Sequence, residues 1–187
     1  MGNPAAPGKA ATMRAQYGAW PYPHVPLLAS LPSTHPFELH ASWLWDRAGS
    51  GPAPARPRIW IAGCGTFQPY AFAVANPQAE IVAGDLSEPS LAVARRRCAV
   101  HGVRNVAFAP LDLDDPSTWP DGQFDVVECY GVLMNCADPL ATLRALRAPE
   151  LRLPDLETQM GRWLPWADPL EGRPVHFGLT PYGTLLR

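Results

Sequence analysis

The chain has 187 residues, a formal net charge of −2, and 47 % hydrophobic against 17 % charged residues, enough apolar mass for one domain with a core. Near-neutral charge gives no nucleic-acid footprint, and no run approaches the roughly 18 apolar residues of a spanning helix. The start of the chain lacks an apolar segment of the secretory kind, so a cytoplasmic location away from membranes is expected.

Residues 1–16 are small, polar and Pro/Gly-bearing and are expected as a flexible tail. Residues 17–57 form an arm in which Tyr17, Trp20, Tyr22, Phe37, Trp43 and Trp45 alternate with prolines. One short helix is expected over 38–45, then a linker over 48–57. Residues 58–148 carry only seven of the 23 prolines, so regular structure is expected there. Arg58 to Ala62 reads as a strand ended by Gly63-Cys64-Gly65, and residues 67–76 as a short buried helix with Pro69 in its first turn. Ile81 to Ala83 is a second strand ending at Gly84-Asp85. Ser87 is the N-cap of a helix running to about His101, with Pro89 just inside it and Gly102 as its stop. Leu91, Ala94 and Cys98 share its apolar face, and Arg95, Arg96 and Arg97 read as a solvated face. Strands follow at 106–109 and 124–129, then a helix from Asp138-Pro139 to about Arg147. Beyond residue 148, Leu151 to Leu153 and Val175 to Leu179 are candidate strands. Strands alternating with helices call for a largely parallel sheet.

The chemical signal lies at the strand ends. Gly63-x-Gly65 lets backbone approach a ligand, and the helix that follows offers N–H groups. Asp85 stands twenty residues beyond Gly65, where its carboxylate can accept from ribose hydroxyls in the same crevice. Asp112 is the next acid along that edge. A dinucleotide fingerprint needs a third glycine where Gln68 stands, so a ligand without a pyrophosphate is the better fit and a nicotinamide-nucleotide site the lesser one. Cys64, Cys98, Cys129 and Cys136 form no CxxC pair. They are expected to be reduced, mostly buried thiols, with no metal site. His24, His35, His40, His101 and His176 read as surface or packing residues, and no catalytic base is identified.

These residues resemble the class I S-adenosylmethionine-dependent methyltransferases. Ile59-Trp60-Ile61-Ala62-Gly63-Cys64-Gly65-Thr66 is similar to their first motif and Ile81-Val82-Ala83-Gly84-Asp85-Leu86-Ser87 to their second. Ala109-Pro110-Leu111-Asp112-Leu113 is similar to the third, and the run from Phe124 to Leu140 to the fourth. The resemblance implies a Rossmann-like three-layer sandwich over a core of residues 58–148, and S-adenosyl-L-methionine as cofactor. It implies that Gly63, Cys64 and Gly65 pass beneath the methionine part, and that Asp85 binds the ribose with Leu86 on the adenine. Asp112 would take the adenine amino group beside Leu113, and Glu128 and Cys129 would border the sulfonium. Segments before the first motif commonly cover the cofactor in this family, which makes Tyr17, Trp20 and Tyr22 lid candidates, with Tyr130 facing the substrate. Packing of the arm against the sheet is the other reading of those rings.

After the fourth motif the family continues with a further strand, helix and hairpin, whereas a Pro-rich extension occupies residues 149–187 here. The expected sheet is therefore incomplete, four to six strands and mainly parallel, with an edge that needs covering. Methyl transfer to an unidentified acceptor, a small molecule or a protein, is the expected function. A catalytically inactive methyltransferase-like interaction protein is the alternative. A homodimer through the sheet edge or the aromatic arm is a further expectation.

Overall fold

In the computed structural model the described residues are 8–32, 39–48, 52–146 and 184–186. Helix α1 spans Lys9–Ala19 and α2 Ala41–Ala48. Then come β1 (Arg58–Ala62), α3 (Gln68–Ala75), β2 (Glu80–Asp85), α4 (Glu88–Val100) and β3 (Val106–Pro110). β4 (Val126–Glu128), α5 (Pro139–Leu146) and β5 (Thr184–Leu186) complete the order. The sheet runs β3-β2-β1-β4-β5. Its first four members are parallel, and β5 pairs antiparallel with β4.

Side-chain alternation along β1 sorts two cores. Ile59 and Ile61 join Ile81, Ala83 and Val126 on one face, beneath Leu44 of α2, Ala71 and Phe72 of α3 and Leu91 of α4. Trp60 and Ala62 join Val127 on the other, against Leu133 and the α5 residues Leu143 and Leu146. A parallel sheet buried on both faces is a three-layer α/β sandwich. Ile59, Ile61 and Ile81 are fully buried, and each such side chain stabilises the fold by roughly 1.5–3 kcal/mol.

The helix ends follow the expected chemistry. Ser87 caps α4 by accepting from the Ser90 amide at 3.2 Å, Pro89 occupies the first turn, and Gly102 leaves the helix at φ 71°. The Asp138 carboxylate accepts from the Leu140 and Ala141 amides at 3.1 and 2.9 Å.

Three readings are corrected or completed. Residues 9–16, expected as tail, are helical, because the run of Ala, Lys, Met, Arg and Gln outweighs its single Thr and the glycine before it. Arg97, expected on a solvated face, is fully buried, since it lies three residues after Ala94 on the buried stripe of α4. The edge of β4 is covered by β5, a strand that the sequence does not announce. The candidate strands 151–153 and 175–179 lie outside the described residues. No described helix is long and apolar enough to cross a membrane.

Candidate functional site

The chain order places β1 and β4 side by side with β2 and β3 leading away from them. The carboxyl ends of β1 and β4 thus flank the point where strand order reverses, the place where open α/β sheets bind ligands. The Gly63–Gly65 turn leaves β1 at that point.

Two of its residues must be glycine. Gly63 and Gly65 have φ of 76° and 57°, a region that side chains rarely adopt. A Cβ on Gly63 would lie 2.5 Å from Val132 Cγ2, and one on Gly65 would lie 2.5 Å from the Tyr22 carbonyl oxygen. The amides of Gly63 and Cys64 both donate to the Gly84 carbonyl at 2.9 Å. The Gly65 amide donates to Asp85 Oδ2 at 2.8 Å, and the Thr66 amide to the Tyr22 carbonyl at 3.0 Å. All four turn amides therefore have partners inside the protein. The N–H groups expected for a ligand belong to the helix that follows, α3; at these four turn residues a phosphate would have to displace an internal bond at each one.

Asp85 ends β2 and is half-buried. Its Oδ1 accepts from the Ser87 amide at 2.9 Å, opposite the Gly65 amide on Oδ2. Burial pushes its pKa above the ordinary aspartate value, and the amides of Ser87, Gly65 and Leu86 draw it partly back. A carboxylate has about four acceptor positions, so hydroxyl donors can still be accommodated. Leu86 is half-buried beside it. At the end of β3, Asp112 Oδ2 lies 3.6 Å from the Arg14 guanidinium, and Leu113 is buried. At the end of β4, Glu128 and Cys129 are buried, and Tyr130 is 44 % exposed.

Sequence reasoning missed what joins these points. Helix α1 spans the carboxyl edge of the sheet. The Tyr17 carbonyl accepts from Ser87 Oγ at 2.9 Å after β2, and Arg14 reaches Asp112 after β3. Lys9 Nζ donates to the carbonyls of Met134 (3.0 Å) and Cys136 (2.6 Å) after β4. The arm that follows rests on the glycine turn through Thr66, whose hydroxyl donates to the Pro23 carbonyl. Of the three rings expected at a lid, Tyr17 is half-buried, whereas Trp20 and Tyr22 are 78 % and 67 % exposed. The arm covers the turn with backbone, and the latter two rings face outward. A sequence signal existed for Gly84, a glycine inside a strand: a Cβ there would lie 2.7 Å from Leu111 Cβ.

All four cysteines are free and buried. Burial raises every thiol, Cys98 and Cys136 to about 11, and Cys64 and Cys129 well above the ordinary cysteine value. His101 stacks on Tyr70 at 4.4 Å and its Nε2 lies 3.1 Å from the Leu27 carbonyl, a packing role. His35 and His176 lie outside the described residues.

The fold is that of a Rossmann-like α/β domain, with the glycine turn and the acids Asp85 and Asp112 along the carboxyl edge of its sheet. The chain belongs to the methyltransferase domain family, whose model matches residues 62–161. It is 39 % identical over 147 residues to an uncharacterized protein of Synechococcus, covering 72 % of this chain and 34 % of that protein. It is 32 % identical over 111 residues to the ubiquinone biosynthesis O-methyltransferase of Bordetella bronchiseptica, covering 59 % of this chain and 44 % of that enzyme. The chain thus spans about a third to under a half of these two relatives. Among solved structures, the magnesium protoporphyrin IX methyltransferase of Synechocystis PCC 6803 with bound SAM shares the fold. Its TM-score is 0.52 at 18 % identity, over 82 % of this chain and 75 % of that one.

Proposed function

We propose that this chain binds S-adenosylmethionine at the carboxyl edge of β1, β2 and β3 and takes part in transferring its methyl group to an unidentified acceptor. The observation that carries this reading is the Asp85 carboxylate, fixed by the Gly65 and Ser87 amides beside a glycine turn whose own amides are engaged. That set suits an uncharged ribose and a cationic sulfonium. It suits a pyrophosphate poorly, which disfavours the nicotinamide-nucleotide alternative.

The cofactor, when bound, supplies a methyl group already activated for attack. The protein's own residues position and shield. Asp85 would hold the ribose hydroxyls, with Leu86 and Leu113 beside the adenine and Asp112 accepting from its amino group once Arg14 shifts aside. Gly63 to Gly65 would pass under the methionine part, and Glu128 and Cys129 would border the sulfonium. Helix α1 and the arm would exclude water from above. Transfer of this kind rests on placement, so a dedicated base need not be present. The buried, reduced thiols suit a cytoplasmic address.

Calorimetric titration with S-adenosylhomocysteine tests the reading. Binding by the wild type, weakened by about 1–3 kcal/mol in Asp85→Ala, is the expected outcome. Preferential binding of NAD would refute it.

A further inference from the structure

Arg97 has an unusual environment. It is fully buried, and among the described residues no carboxylate lies within ion-pair distance of it. Its guanidinium is instead enclosed by main-chain carbonyls. Nε donates to Thr66 O at 3.2 Å. Nη1 donates to Pro26, Leu27 and Ala29 O at 2.8, 3.2 and 3.4 Å, and Nη2 to Val25 O at 2.7 Å. The Phe67 ring closes one side, its centroid 5.0 Å from Cζ. A buried charge costs stability unless it is well bonded, and the planar fork of arginine presents five N–H donors in fixed directions. Here one end of the fork holds the residue after the glycine turn and the other end holds four residues of the arm.

The same two segments meet a second time. Thr66 bonds Tyr22 O through its amide and Pro23 O through its hydroxyl. The arm and the turn are thus joined directly at Thr66 and indirectly through Arg97, while the Leu31 amide donates to Tyr70 Oη from α3. We infer that Arg97 is a positioning residue for cofactor binding: it holds residues 22–29 against the glycine turn, so that the arm forms one wall of the site. The inference rests on the proposed cofactor reading, and touches a residue that meets neither cofactor nor acceptor.

The test compares Arg97→Met and Arg97→Lys with Arg96→Met, a change at the exposed neighbour. Two quantities are measured on each folded protein: hydrogen exchange at the amides of Val25, Ala29 and Leu31, and S-adenosylhomocysteine affinity by calorimetry. Arg97→Met is expected to speed exchange in the arm while β1 and β2 stay protected, and to weaken cofactor binding about tenfold or more. Arg97→Lys, with three donors on a flexible stem, is expected to fall between wild type and Arg97→Met. Arg96→Met is expected to change neither quantity. Unchanged arm exchange or unchanged affinity in a folded Arg97 variant overturns the inference, as does an equal effect from Arg96→Met. If Arg97→Met does not fold, Arg97→Lys decides by the same two readouts. Absence of cofactor binding by the wild type would overturn the functional reading itself. Wild-type binding with Arg97 variants binding equally well would overturn only the role of Arg97.

Discussion

Asp85 shows how one carboxylate can pull binding and stability in opposite directions. Its pKa is raised by burial, so the fold disfavours its charged form relative to the unfolded chain. On that account the group's contribution to stability is greatest at low pH and declines as pH rises through the folded value. In its proposed role Asp85 accepts from ribose hydroxyls most strongly when ionised. Cofactor affinity should therefore fall as pH drops through the raised value, beginning above the usual aspartate range of about 4. Calorimetry across mildly acidic pH checks this, and Asp85→Asn should flatten the profile. At Gly65, substitution by alanine combines a positive φ with a Cβ 2.5 Å from a carbonyl oxygen. A loss of about 1–3 kcal/mol is expected in denaturant unfolding. Both positions were legible in the sequence as structure: Gly65 as part of the turn that ends β1 and Asp85 as the last residue of β2. Arg97 was less so: its position on the stripe of Leu91, Ala94 and Cys98 pointed inward, but its charge pointed outward. The carbonyls that resolve the conflict come from residues about seventy positions away.

At the level of elements, local signals did well. Ser87, Pro89 and Gly102 bound α4 as their chemistry demands, and β1 begins and ends where the apolar run does. What failed was tertiary. The Ala-rich α1 has no fully buried residue, so no apolar stripe marked it, and it is held by polar bonds to three strand ends. Ser87 serves two elements at once, capping α4 and donating to Tyr17 of α1. Ser87→Ala should cost about 1 kcal/mol through the lost cap and also speed hydrogen exchange in α1. Arg14→Ala should barely change stability, because its ion pair with Asp112 is open to solvent, and it should leave α1 in place.

The described residues are organised around four parallel strands, of which β1 and β4 are buried on both faces, and the cysteines report on that cover. All four lie in the described core and are buried, with thiols raised by burial. A thiol reagent at about pH 8 should label none of them quickly in the native protein and all four after denaturation. Rapid labelling of one would mark a local opening. The strand alternation of residues 58–148 was readable because each segment carries its own period and caps. The antiparallel β5 was not, since its pairing with Val126, Val127 and Glu128 joins residues nearly sixty positions apart and leaves no local trace.

The bonds that Thr66 makes to Tyr22 and Pro23 also have a consequence in time. The carbonyl cage around Arg97 needs the glycine turn and α4 already in place, so the arm can dock only after the β1-α3-β2-α4 unit has formed. Arm contacts should then be absent from the folding transition state. Weakening them should quicken unfolding and leave the folding rate nearly untouched. Stopped-flow kinetics on Thr66→Val, which removes the hydroxyl bond to Pro23, would show whether the wall of the site is the last part of the molecule to arrive and the first to leave.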